Sequence, residues 1–217
     1  MKTNITQLVF ILDRSGSMSG IEEDTIGGYN SMLAKQKKEE GKALITTILF
    51  DDQYEILHDA LNIKDVPPIT SDDYFVRGST ALLDAIGKTI TKIGNEQKLM
   101  NKELKADKVL FVITTDGMEN ASREYSYKKI DKLINLKKEN DNWEFIFLGA
   151  NIDAIATARK FGIRADRAVN YHADKKGTKL QYEELDRVVS EYRVNSSINH
   201  DWKENIEKDY LKRKKMK

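Results

Sequence analysis

The stretch that most restricts how this chain can fold is Leu8-Val9-Phe10-Ile11-Leu12-Asp13-Arg14-Ser15-Gly16-Ser17. Its unbroken apolar run predicts a strand buried on both faces, the kind found in the middle of a parallel sheet. The run stops on an acid and two hydroxyls spaced Asp13-x-Ser15-x-Ser17, and Glu22, Glu23 and Asp24 then suit the positive first turn of a helix. A strand that delivers polar side chains at its C-terminal end, just ahead of a helix, places them where open α/β sheets bind ligands. The delivered groups are oxygen donors, which points to a hard cation such as Mg²⁺.

The rest of the chain supplies the sheet that such a strand needs. Residues 21–40 read as a helix with Ile26, Tyr29, Met32 and Leu33 on one face, stopped by Gly41. Residues 43–50 and 54–61 read as strands joined by the turn Asp51-Asp52-Gln53. So short a connection cannot make a parallel crossover, so the third strand is expected antiparallel at a sheet edge. Residues 66–79 form a loop ending in Arg77-Gly78-Ser79-Thr80, followed by a helix over 81–93 and a polar segment to 107 that extends it or lies on the surface.

Val109-Leu110-Phe111-Val112-Ile113 is a second doubly buried strand, ending in Thr114-Thr115-Asp116-Gly117. A helix over 125–139, a strand over 143–148, a short helix over 153–161, a weak strand over 168–171 and a helix over 177–192 complete the pattern. Strands alternating with helices predict an α/β fold: a doubly wound, Rossmann-like, mostly parallel six-stranded sheet with one antiparallel edge strand and helices on both faces. One domain is expected over residues 1–194, with 195–217 a charged C-terminal helix or solvated tail.

Three strand ends or pre-helix loops therefore hold oxygen ligands: Asp13, Ser15 and Ser17; Thr80; and Asp116. A doubly wound sheet can bring all three to one face. Mg²⁺ takes about six oxygens and keeps several waters. The two serines suit direct contact, with Thr80 or Asp116 direct or water-bridged and Asp13 orienting from behind. Neutral hydroxyls leave much of the dication's charge uncompensated, so such a site seeks one more anionic oxygen, for which an Asp or Glu of another protein is the natural source.

Asp13-Arg14-Ser15-Gly16-Ser17, Gly78-Ser79-Thr80 and Thr115-Asp116-Gly117 together resemble the metal-ion-dependent adhesion site (MIDAS) of von Willebrand factor type A (vWA) domains. The resemblance covers roughly residues 5–192, in order. It implies a divalent ion (Mg²⁺, or Mn²⁺ or Ca²⁺) at the top of the sheet and a protein-binding rather than catalytic role. Ser15, Ser17 and Thr80 would be ligands, with Asp13 and Asp116 ligating directly or through water. The implied partner is a protein offering an Asp or Glu carboxylate. For bacterial intracellular members this extends to an ATPase-associated complex.

Simpler roles compete with each residue taken singly. Ser15, Ser17 and Ser19 are suited to capping the next helix, and Asp116-Gly117 to an ordinary turn. Asn120, Arg123, Asn151 and Asp153 fall on the same rim and are expected as hydrogen-bonded loop residues. His58 and His172 are expected at the surface, and Trp143 half-buried.

The alternative function is a Mg²⁺-dependent phosphohydrolase-like enzyme, which also ends its first strand on an aspartate. It needs a second carboxylate two residues on, where this chain has Ser15. Gly16-Ser17-Met18-Ser19-Gly20 has methionine where a hydrolase elbow needs its nucleophile, and no Walker loop is present. The 217 residues include no cysteine, excluding disulfides and thiolate chemistry, and the three histidines are too scattered for a metal motif. A net charge of +1 gives no basis for nucleic acid or membrane as partner. No signal-like segment opens residues 1–4 and no apolar run approaches a membrane span, so a cytoplasmic protein is expected.

Overall fold

A computed structural model describes residues 4–215; residues 1–3, part of the segment considered for a leader, lie outside them. The first apolar run becomes β1 (Ile5–Asp13), and all of its residues are buried. Its side chains alternate between two layers, Leu8, Phe10 and Leu12 facing one hydrophobic core and Val9 and Ile11 the other. That is why the run is apolar without a break: a strand between two helix layers has no wet face.

The order along the chain is β1, α1 (Glu22–Gln36), β2 (Lys42–Phe50), β3 (Tyr54–Asn62), α2 (Leu82–Leu99), β4 (Lys108–Thr115), α3 (Tyr127–Asp141), β5 (Glu144–Gly149), α4 (Ala154–Lys160), β6 (Ala168–Asn170), α5 (Lys175–Asn195) and α6 (Glu204–Lys214). The sheet runs β3-β2-β1-β4-β5-β6. All neighbours are parallel except β2 and β3, which are antiparallel as the short turn required. Helices α1, α5 and α6 cover one face through residues such as Tyr29, Leu185, Val189 and Ile206. Helices α2, α3 and α4 cover the other through Ile86, Ile90, Ile130 and Ala158.

β1 lies between β2, its successor strand, and β4, reached after the chain has doubled back. The order reverses there, so the crevice above β1 and β4 is the topological switch point where such sheets take ligands.

Helix α2 runs into the polar segment as far as Leu99, one of the two courses expected for it. Two residues, His58 and Trp143, depart from expectation. His58 is buried rather than exposed, at 4 %, because β3 turns it inward and its ring Nδ1 lies 3.0 Å from Thr47 Oγ1. Burial lowers its pKa. Beyond α5, the charged segment is anchored by Trp202 and Ile206 in the core, and the Trp202 indole N–H donates to Asp166 O at 2.8 Å. Trp143 is buried rather than half-buried, because its ring stacks on Phe111 at 5.3 Å between centroids inside the core. Among the described residues, no helix is long and apolar enough to cross a membrane.

Candidate metal centre

β1 and β4 are paired so that Leu12 faces Thr114, which sets Asp13 beside Thr115 at the switch point. Asp13 is fully buried. Its Oδ1 accepts the Ser15 amide at 2.7 Å and its Oδ2 accepts the Thr115 hydroxyl at 2.5 Å. Tyr74 OH donates to its main-chain oxygen at 2.5 Å. Burial nevertheless dominates, and raises the Asp13 carboxyl to about 6 against the opposing hydrogen bonds.

Past Asp13 the chain makes a single 3₁₀ turn, Gly16–Met18, which no serine side chain caps. Nor does a side chain cap α1, whose first-turn amides follow Ile21. The serine hydroxyls are therefore not spent on helix capping. They turn toward one another, Ser15 Oγ and Ser17 Oγ at 3.1 Å, and the Thr80 hydroxyl donates to Ser15 Oγ at 2.9 Å. Three hydroxyls from two distant segments form one chain.

Asp116 completes the group. It is buried, yet among the described residues neither of its carboxylate oxygens has a hydrogen-bond partner. Burial raises its carboxyl above the ordinary value, while the Ser17 hydroxyl and the Asp116 amide, close by but outside hydrogen-bond geometry, pull the other way. The next residue, Gly117, runs against the hydroxyl chain. A β-carbon there would sit 2.8 Å from Ser17 Oγ, 2.9 Å from Thr80 Oγ1 and 3.7 Å from Ser15 Oγ. The structure thus brings together all five residues singled out from the sequence.

The donor chemistry fits a divalent cation. A buried carboxylate without a partner is unfavourable unless it is protonated or neutralised by a positive charge. Three hydroxyls beside it supply further hard oxygens. Among the described residues there is no cluster of three or more His, Cys, Asp and Glu side chains able to hold a metal, so a cation here would need the hydroxyls as well as the carboxylates.

Sequence reasoning missed what supports the group. Arg14, the residue between the aspartate and the first serine, is buried and donates from Nε to Asp51 Oδ2 at 3.1 Å and from a terminal nitrogen to Glu55 at 2.7 Å. Arg77 Nε reaches the same Asp51 oxygen at 2.6 Å. Burial alone would raise Asp51, but the Arg77 hydrogen bond, the Gln53 amide and both guanidinium charges hold it below its ordinary value. The Arg77 amide donates to Arg14 O at 2.9 Å and the Gly16 amide to Gly78 O at 3.2 Å, joining the serine loop to the threonine loop. Only the placement of Arg14 and Asp51 just after two strands and of Arg77 just before a helix hinted at this. Of the rim residues, Asp153 caps α4 by accepting the Ala156 amide at 2.9 Å, while Asn120 bonds to Thr80.

No family sequence profile and no curated protein matches the chain. Solved structures do. Proximal thread matrix protein 1 from the mussel byssus, with a zinc-occupied MIDAS motif, superposes with a TM-score of 0.57 at 12% identity, over 85% of this chain and 46% of that one. A von Willebrand factor type A protein from Catenulispora acidiphila gives 0.55 at 12%, over 85% and 42%. The ArnB paralog VWA2 from Sulfolobus acidocaldarius gives 0.50 at 19%, over 88% and 45%. This chain spans less than half the length of each of these proteins.

Proposed function

We propose that this chain, which has the vWA fold, is a non-catalytic binding module. In this reading Ser15, Ser17 and Thr80 hold a divalent cation, with Asp13 and Asp116 assisting directly or through water. The cation is Mg²⁺, with Mn²⁺ or Ca²⁺ as substitutes, and it captures an Asp or Glu side chain of a protein partner, in a cytoplasmic setting. When bound, the cation supplies a Lewis-acidic position for one external oxygen. The protein's own part is to fix the hydroxyls and to hold the Asp116 carboxyl out of bulk water beside them. The observation that carries the reading is the buried, unpartnered carboxylate of Asp116 beside three converging hydroxyls. The zinc in the mussel protein's MIDAS motif supports it by analogy of fold.

Calorimetric titration with Mg²⁺, Mn²⁺ and Ca²⁺ tests the first half. Binding at one site, lost in Asp116→Ala, is expected; absence of binding at millimolar cation rules the reading out. The second half predicts a protein partner that is retained with cation and released by EDTA. A partner set indifferent both to chelation and to Asp116→Ala removes the cation from the account of binding.

A further inference from the structure

Helix α2 begins without a cap of its own. Its N-cap is Ala81, whose methyl group cannot accept a hydrogen bond. The amides of its first turn are satisfied from elsewhere: Leu83 N donates to Glu119 Oε2 at 2.9 Å and Asp84 N to Ser122 Oγ at 3.0 Å. In return Asp84 accepts the amides of Arg123, Glu124 and Tyr125 at 2.8–2.9 Å. The loop that follows Asp116 thus caps the helix that follows Thr80, and the two segments form one unit.

Asn120 closes that unit at the hydroxyl chain itself. Its side-chain oxygen accepts the Thr80 amide at 2.9 Å, and its own amide donates to Thr80 O at 3.0 Å. Asn120, four positions beyond Asp116, therefore bonds both main-chain polar groups of Thr80, and the Ala121 amide shares Thr80 O at 3.2 Å. A Thr80 so held has its hydroxyl aimed at Ser15 Oγ, 2.9 Å away.

We infer that Asn120 is a positioning residue for the cation: it sets Thr80 at a constant distance from Asp116, so that ligands from separate segments meet in one geometry. This rests on reading the five residues as a cation site. Groups that orient ligands without touching the metal typically change its affinity 10- to 100-fold. Asn120 is exposed, so its side chain contributes little to the core and its removal should leave the fold intact.

The test compares Mn²⁺ affinity by calorimetry in the parent, Asn120→Ala, Asn120→Asp and Asn120→Glu, with melting temperatures in EDTA alongside. Asn120→Ala is expected to bind Mn²⁺ roughly 10- to 100-fold more weakly while melting within a few degrees of the parent. Asn120→Asp keeps an acceptor where Thr80 N needs one, and should bind as tightly as the parent or more so. Asn120→Glu carries the same charge with its acceptor displaced by a methylene, and should fall short of Asn120→Asp. Equal affinities in the parent and Asn120→Ala overturn the proposal while leaving the cation site standing. Equal rescue by Glu and Asp assigns the effect to charge and overturns it too. A parent that binds no Mn²⁺ defeats the cation site together with this inference.

Discussion

Asp13 ends β1 and Asp116 follows β4, two adjacent parallel strands with similar apolar runs and both closing at the switch point. Both carboxylates are buried and in both burial raises the pKa. Their surroundings differ. Asp13 is enclosed by donors, the Ser15 amide and the Thr115 hydroxyl, which lock it between strand and loop. Asp116 has none on either oxygen among the described residues. A hydrogen-bonded buried acid is a structural part, whereas one without donors is stabilised only by a proton or by a positive charge brought to it. Position at a strand end is shared; the supply of donors separates support from reactivity.

The contrast is most exposed to Asp116→Ala. Cation affinity should fall by more than the roughly 100-fold upper end of effects transmitted through neighbours, as read by Mn²⁺ titration. Asp116→Asn, which removes a buried charge, should raise the melting temperature in EDTA by about 2–4 °C for each kcal/mol gained. A lowered melting temperature would show that Asp116 has a donor after all, and the distinction from Asp13 would vanish.

Asp13 gives a pH signature. Burial pushes its carboxyl up to about 6 in the folded chain, against an ordinary 3.8. Between those values the folded protein keeps a proton that the unfolded chain has released. Stability from this group is therefore full at the acid end and lost as pH rises through about 6. In cation-free buffer, the parent's stability relative to Asp13→Asn should fall between pH 4 and 6 by about 3 kcal/mol and stay level above. Comparison with the variant cancels the opposite trend from Asp51. A flat difference would place Asp13 in the ordinary carboxylate range.

Gly117→Ala tests how closely the Asp116 side of the group meets the hydroxyls. The added methyl would press on Ser17 and Thr80. These hydroxyls can rotate away, so the fold should survive, but at about a 10- to 100-fold loss of Mn²⁺ affinity. The smallest effect belongs to Tyr74→Phe, which removes the donor to Asp13 O. It should lower stability by about 1 kcal/mol in urea denaturation and leave Mn²⁺ affinity within about twofold, since it touches support alone.

Much of this was legible in the order of residues. Unbroken apolar runs at Leu8–Leu12 and Val109–Ile113 specify strands between two helix layers, because any polar residue inside them would be buried without a partner. The three-residue turn at Asp51–Gln53 specified the antiparallel edge. Local chemistry of this kind acts over a few neighbouring residues, so it can be read from a string, and Asp13, Ser15, Ser17, Thr80 and Asp116 were picked out by it. What only the tertiary structure decided is which of those acids is satisfied, and what holds the hydroxyls in place. Thr115 lies 102 positions from Asp13, and Asn120 lies 40 from Thr80. Those bonds exist because the sheet order sets β4 against β1 and folds the following loop over α2. Hydrogen bonds are made or lost over displacements of about an ångström, and only the packed chain sets positions that finely.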